Sequence, residues 1–212
     1  MLEKIAQLFI GIHACFGGLA LITGFIALCV TKGGRLHKKF GLVFYYSMLI
    51  SALFAFVISV MPNHRSPFLF CIGLFSTYFL VSGYRSLKFK DDISGLKVDK
   101  IIGYTIGITG IIMMVYPLIF TSKINIILLV FGIMGLLSGI QDIRLYKDID
   151  RVKKSWLILH INKMTGGYIA AVSAFFVVNQ ILPGIWNWFT PGIVGAFYIT
   201  YWVKKIKKSK SS

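Results

Sequence analysis

Long apolar runs separated by short polar segments are the feature that most restricts how this chain can fold. A helix needs about 20 predominantly apolar residues to cross the hydrocarbon core of a bilayer. Seven runs have about that length, at residues 7–30, 40–61, 67–86, 101–120, 124–143, 157–182 and 184–203. Hydrophobic residues make up 57% of the chain and charged residues only 14%, a composition that excludes a soluble globular protein. The sequence therefore predicts an all-α, polytopic transmembrane helical bundle of about seven spans.

The segments between the runs are too short to form a second domain. We expect residues 1–203 to form one transmembrane helical domain and residues 204–212 to form a basic cytoplasmic tail. The segments after the first, third and fifth runs, together with the tail, contain most of the 23 Lys and Arg residues. The other gaps contain only Arg65 and Lys123. Because basic segments stay in the cytoplasm, we predict a multi-pass protein of the cell (plasma) membrane with its N-terminus outside and its C-terminus inside.

The net charge of +16 suggests an anionic partner, and the location of the basic residues indicates which one. We expect the lipid bilayer to surround the helices and the basic cytoplasmic segments to contact its anionic headgroups. A soluble protein with this charge would be a candidate for nucleic-acid binding. Here neither a basic face nor a nucleic-acid-reading module accompanies the charge, so no nucleic-acid partner is expected.

Ionisable residues at membrane depth are the strongest indication of a functional site, because burying a charge near the bilayer centre costs about 2.5–3.5 kcal/mol on insertion scales. The candidates are His13, Asp142, His160 and Lys163. Each lies on a stripe of small residues at helical spacing, which predicts that it faces other helices and not lipid. These four residues and His37 are the predicted ligand-binding set.

The predicted topology places His37, Asp142, His160 and Lys163 at the cytoplasmic side of the bundle, where they can converge. His160 and Lys163 are separated by three positions and share one helix face. Asp142, on the preceding helix, is expected at similar depth and is the natural counter-ion for a buried Lys163 ammonium. Two alternatives to a ligand site remain open. In the first the residues are structural, because Lys163 and Asp142 can snorkel to the interface and His160 can simply donate to a backbone carbonyl. In the second the group transfers protons.

The histidines also raise the hypothesis of a haem b, because membrane b-type cytochromes hold haem between helices through a histidine from each of two helices. His37 and His160 are the candidate axial ligands of the haem iron. Gly33 and Gly34 can fold the loop before the second run so that His37 turns toward the bundle. The other two histidines, His13 and His64, are a poorer candidate pair, since His64 lies in a short loop between Pro62 and Pro67.

Other chemistries find no matching motif in the chain. HExxH and HxxxH pairs for zinc, the GxSxG serine motif, the Walker loop and a strand-linked GxGxxG are absent from the sequence. Gly103, Gly107 and Gly110 are at helical spacing, so we expect them to pack against a neighbouring helix and not to cradle a phosphate.

Two segments resemble the signature blocks of a bacterial predicted-membrane-protein family of unknown function. They are IHACFGGLALITGFIALCVTKGGRLHKKFGLVFYYSM, at residues 12–48, and WLILHINKMTGGYIAAVSAFFVVN, at residues 156–179. The resemblance centres on His13, Gly17, Gly24, Arg35, His37, Gly41, His160, Met164 and Gly167. At Lys163 the family more often has arginine, so a cation is retained but bidentate anion contact is lost. The resemblance implies an integral membrane protein in which His13, His37 and His160 are functional, and it implies no reaction.

Three functions are compatible with these features. The first is a redox or cofactor-binding protein that ligates haem b through His37 and His160. The second is a small-solute transporter or sensor that binds an anionic or amphipathic solute through Lys163 and His160, with Asp142 as counter-ion. The third is a structural or regulatory subunit of a membrane complex. The substrate, the oligomeric state and whether the protein is an enzyme stay open at the level of the sequence.

Overall fold

Seven α-helices make up almost all of the computed structural model, which describes residues 2–93, 95–120 and 125–211. In chain order they are α1 (Leu2–Cys29), α2 (Arg35–Val60), α3 (Pro67–Arg85), α4 (Lys97–Phe120), α5 (Ile126–Leu145), α6 (Ile149–Asn179) and α7 (Trp186–Ser211). A short 3₁₀ helix, Ser86–Lys90, follows α3 directly. The described part of the chain contains no β-strand. The predicted all-α fold is therefore confirmed.

Six of the helices, α1 to α6, are long and apolar enough to cross a membrane. The third of these spans includes the 3₁₀ helix and runs from Pro67 to Lys90. Large apolar side chains cover the outside of the bundle; Ile22 and Ile119, for example, are 63% and 66% exposed. An exterior of this kind needs lipid around it, so the chain is an integral, multi-pass membrane protein.

Helix α7 corresponds to the seventh predicted span but is not among those six. Its first turns contain Trp186, Asn187 and Trp188, and more Tyr and Trp follow, which lowers its mean hydropathy. The helix also continues through residues 204–211, so the predicted basic tail extends α7 without a break up to Ser211.

Several helices begin before the apolar run that predicted them, because polar residues at the membrane surface can form the first turns of a helix. Helix α6 begins at Ile149, eight positions before the predicted start, since the Asp148 carboxylate caps it by accepting a hydrogen bond from the Arg151 amide at 2.9 Å. Helix α2 begins at Arg35, directly after a turn in which Gly33 has a φ of +77°. Residues 123 and 124, which belong to the predicted fourth gap and fifth span, lie outside the described residues.

Helices α4 and α5 pack at very short range through glycine. A Cβ on Gly110 would lie 2.5 Å from the Gly132 carbonyl oxygen, and one on Gly139 would lie 2.6 Å from the Gly103 carbonyl oxygen. The absence of side chains at these positions lets the two backbones touch. The prediction that Gly103, Gly107 and Gly110 are packing residues is confirmed, since Gly107 also lies beside Gly139.

Helix α6 has the most neighbours of any helix and positions the candidate site. It packs against α3, α7 and the 3₁₀ helix, with smaller contacts to α1 and α5. Beside it, Ala171 joins a buried cluster with Ala20, Phe44 and Leu80 from the first three helices. His160 and Lys163 are thereby placed where several helices meet.

Candidate functional site

A buried ion pair lies at the centre of the predicted site. The Lys163 ammonium is 2.8 Å from Asp142 Oδ1 and 2.7 Å from Asp142 Oδ2, and the two side chains are only 8% and 4% exposed. The predicted pairing of Lys163 with Asp142 is confirmed. The snorkelling alternative is wrong for these residues, because both charges stay inside the bundle.

Tyr78 completes the pair as a triad. Its hydroxyl donates to Asp142 Oδ2 at 2.7 Å and accepts a hydrogen bond from the Lys163 ammonium. The ammonium also lies 4.1 Å from the centroid of the Tyr78 ring. A lysine has three N–H donors, and here two go to the carboxylate and one to the phenol. The Lys163 donors are therefore all used within the triad.

Helices α3, α5 and α6 each supply one member of this triad, and glycine lets them approach. The Gly83 backbone of α3 lies so close to α6 that a Cβ there would be 2.9 Å from Lys163 Cβ. On the other side, the Asp142 Cβ lies against Gly103 of α4, at 3.5 Å from the Cβ that Gly103 lacks. A side chain at Gly83 would therefore push α3 and α6 apart, whereas Gly103 lets α4 lie in van der Waals contact with Asp142.

His37 and His160 form a second pair, with ring centroids 6.4 Å apart and ring planes at 80°. His37 is in the first turn of α2 and not in the preceding loop, because the turn at Gly33 starts the helix early. The prediction that His37 turns toward His160 is confirmed. Both side chains are half-buried.

Hydrogen bonds to the backbone determine which nitrogen of each ring carries the proton. Nδ1 of His37 lies 3.0 Å from the Ala27 carbonyl oxygen, and Nδ1 of His160 lies 2.9 Å from the Gly83 carbonyl oxygen. A carbonyl oxygen only accepts, so we assign the proton to Nδ1 in both rings. In the neutral imidazole, Nε2 then has a free lone pair. The predicted contact of His160 with a backbone carbonyl is present, and it leaves the other nitrogen available to a ligand.

A cavity of about 600 Å³ opens beside the two histidines, at the end of the bundle where α1 ends and α2 begins. Both imidazoles line it, together with Lys32 and Lys38. Most of the remaining lining is apolar or aromatic, with Phe44, Tyr84, Trp156, Tyr168, Tyr198 and Trp202 as its aromatic residues. Lys163 and Asp142 do not line it. The four inner residues thus form two adjacent pairs, of which only the histidine pair faces a space that a ligand can enter.

His13 lies apart from the other four predicted residues. Its Nδ1 donates to the Ser51 carbonyl oxygen at 2.9 Å, and the Ser51 hydroxyl donates back to the His13 carbonyl oxygen at 3.0 Å. These reciprocal bonds join α1 to α2. At about 1.5 Å per helical residue, His13 is roughly 21 Å along α1 from Ala27, which contacts His37. His13 therefore does not reach the cavity.

The structure shows functional contacts that the sequence analysis missed. Tyr78 is not among the predicted site residues. Its position in the middle of a span, away from the interface that tyrosine favours, is a usable signal of a polar contact inside the bundle. The sequence also gives no reason to single out Arg85, which lies at the end of the third apolar run. Its guanidinium donates two hydrogen bonds of 2.7 Å to the buried Asp99 carboxylate, a fork geometry specific to arginine.

Among the described residues, no group of three or more His, Cys, Asp or Glu side chains is positioned to hold a metal ion. The inner site offers two imidazole nitrogens and no third protein ligand. Two such donors cannot supply the four ligands of a structural zinc site. They do match the number of axial ligands of a haem iron.

Comparisons of the chain with protein-family models, curated proteins and solved structures find no match. The functional argument therefore depends on the geometry of the site.

Proposed function

We propose that this integral membrane protein binds a haem b between His37 and His160 and transfers electrons. The observation that carries the proposal is the paired arrangement of two imidazoles on different helices beside a largely apolar cavity. When bound, the haem would supply reversible one-electron chemistry. The protein would supply the two axial ligands and an apolar enclosure.

The hydrogen bonds of the two rings support ligation. Metal-binding histidines almost always donate their second ring nitrogen to a carboxylate, a backbone carbonyl or water, which fixes the ring and its tautomer. His37 and His160 both have this bond, each to a backbone carbonyl. The two ring centroids are 6.4 Å apart, so both imidazoles would be close enough to hold the same iron.

The cavity supports a cofactor of this size and polarity. Ligand and cofactor sites are typically apolar clefts of about 300–1,000 Å³ with a few convergent polar groups, and this cavity of about 600 Å³ is within that range. The transporter or sensor alternative finds less support, because the Lys163 donors are all used by Asp142 and Tyr78 and do not reach the cavity.

We also propose that the C-terminus and the basic segments lie in the cytoplasm, as the distribution of Lys and Arg predicts. The cavity would then lie near the cytoplasmic face of the plasma membrane, with the N-terminus outside. The basic end of α7 would contact anionic headgroups, as Lys205 already lies 4.9 Å from the Trp202 ring centroid, at a position typical of a membrane interface.

The test is a visible absorption spectrum of the protein purified in detergent after expression with ample haem. We expect a Soret band that His160→Ala and His37→Ala each remove, and that His64→Ala, a change in an outer loop, leaves unchanged. A colourless wild-type protein that is folded by circular dichroism and gel filtration would refute the haem proposal.

A further inference from the structure

Two lysines give the cavity a polar end. Lys32 follows α1 and Lys38 lies in the second turn of α2, and both line the same cavity as the histidines. The Lys32 ammonium donates to the carbonyl oxygens of Ala27, at 3.0 Å, and Leu28. The Lys38 side chain is exposed. The lining of the cavity is therefore mixed, with two lysines among side chains that are mostly apolar or aromatic.

Lys32 is held in place and still has binding capacity. Its ammonium lies 5.6 Å from the Tyr198 ring centroid and 5.3 Å from that of Trp202, within the range of cation–π attraction. Of its three N–H donors, two contact carbonyl oxygens, and the third has no hydrogen-bond acceptor among the residues that the structure describes. Partial burial lowers the pKa of Lys32, so an anion beside it would favour the charged form.

We propose that Lys32 and Lys38 bind the carboxylates of the cavity's ligand, so that the site selects an amphipathic molecule with an anionic end. This inference rests on the proposed function, in which the ligand is haem b and the carboxylates are its two propionates. An apolar molecule without an acidic group would displace water from the Lys32 ammonium without offering it an acceptor, which is unfavourable.

The experiment titrates the detergent-solubilised, haem-free protein with haem b and with its dimethyl ester, which keeps the iron and the macrocycle but has no carboxylate. The readout is the Kd from the Soret absorbance. We expect wild type to bind haem at least tenfold more tightly than the ester, since a single charge-assisted hydrogen bond already supplies about that difference. Lys32→Met and Lys38→Met should each reduce this preference. Lys39→Met, an exposed neighbour that does not line the cavity, should retain it.

The outcomes separate this inference from the haem proposal. Equal affinities of wild type for haem and ester, or a preference that survives both substitutions, would refute the role of the lysines while haem binding stands. Failure of both compounds to bind would refute both proposals. Because Lys38 is exposed, Lys38→Met gives a result even if the loss of the Lys32 contacts impairs folding.

Discussion

Removing either charge of the buried triad should destabilise the protein severely. Lys163→Met leaves the Asp142 carboxylate, which is 4% exposed, with the Tyr78 hydroxyl as its remaining hydrogen-bond donor in the triad. Asp142→Asn leaves the Lys163 ammonium facing a neutral amide at the same depth. Breaking a buried pair by removing one partner costs about 3–5 kcal/mol, because the other charge stays desolvated. We expect losses of that size in the free energy of unfolding for both single variants.

The double variant distinguishes compensation from independent effects. Lys163→Met combined with Asp142→Asn removes both charges, so neither is stranded, and we expect it to be more stable than either single variant. Additive effects would instead give a loss of about 6–10 kcal/mol. Tyr78→Phe keeps the ion pair but removes one hydrogen bond to each charge, so we expect an intermediate loss of about 2–3 kcal/mol.

The assay is reversible unfolding in detergent micelles, with gel filtration to measure the folded fraction. Tyr104→Phe is the control for Tyr78→Phe, because Tyr104 is 57% exposed on the bundle exterior. Additive losses in the double variant, or wild-type stability of Lys163→Met, would refute the argument that the two charges compensate each other.

Three further outcomes are expected. Gly110→Ala should destabilise the protein by about 1–3 kcal/mol through overpacking against α5, whereas Gly107→Ala, whose Cβ would meet nothing within 4 Å, should not; equal unfolding midpoints would contradict the packing argument. Arg85→Ala should lower the free energy of unfolding by about 3 kcal/mol by stranding the buried Asp99, and Arg85→Lys should recover only part of it because the bidentate contact is lost. A reporter fused after residue 212 should be active only if it functions in the cytoplasm, and a signal from an extracellular reporter would overturn the orientation.

The helices could be predicted from the sequence because crossing a bilayer imposes a length and a composition that few other structures share. Their ends could not be predicted as well. Hydropathy reports the apolar part of a helix, whereas the start of α6 depends on the Asp148 cap and that of α2 on the turn at Gly33. These are local hydrogen-bond and backbone effects in polar segments, which leave no trace in an average over 20 residues. The early start of α2 is also what brings His37 into a helix.

Part of the site was predictable for a similar reason. A lone buried charge is so unfavourable that Lys163 required a partner, and Asp142 was the nearest acidic group at the same depth. The signal for Tyr78 is weaker, because a tyrosine is tolerated in a membrane span without a charged partner, and its position in mid-span does not identify Asp142 and Lys163 as its partners. The backbone acceptors of His37 and His160 were equally hidden, since every residue of a helix has a carbonyl and only the packing decides which one is within reach.

Gly83 shows how the two pairs depend on each other. The Gly83 carbonyl oxygen accepts the hydrogen bond from His160 of α6. Because Gly83 has no side chain, Lys163, which is one turn beyond His160 on α6, can approach α3. The triad ties α6 to α3 and α5 by bonds that tolerate little displacement, because a buried ion pair that loses its geometry keeps its desolvation cost. His160 and Lys163 are one turn apart on α6, so the triad and the His160–Gly83 hydrogen bond secure the same contact between α3 and α6. We therefore expect disruption of the triad to displace the His160 ring as well.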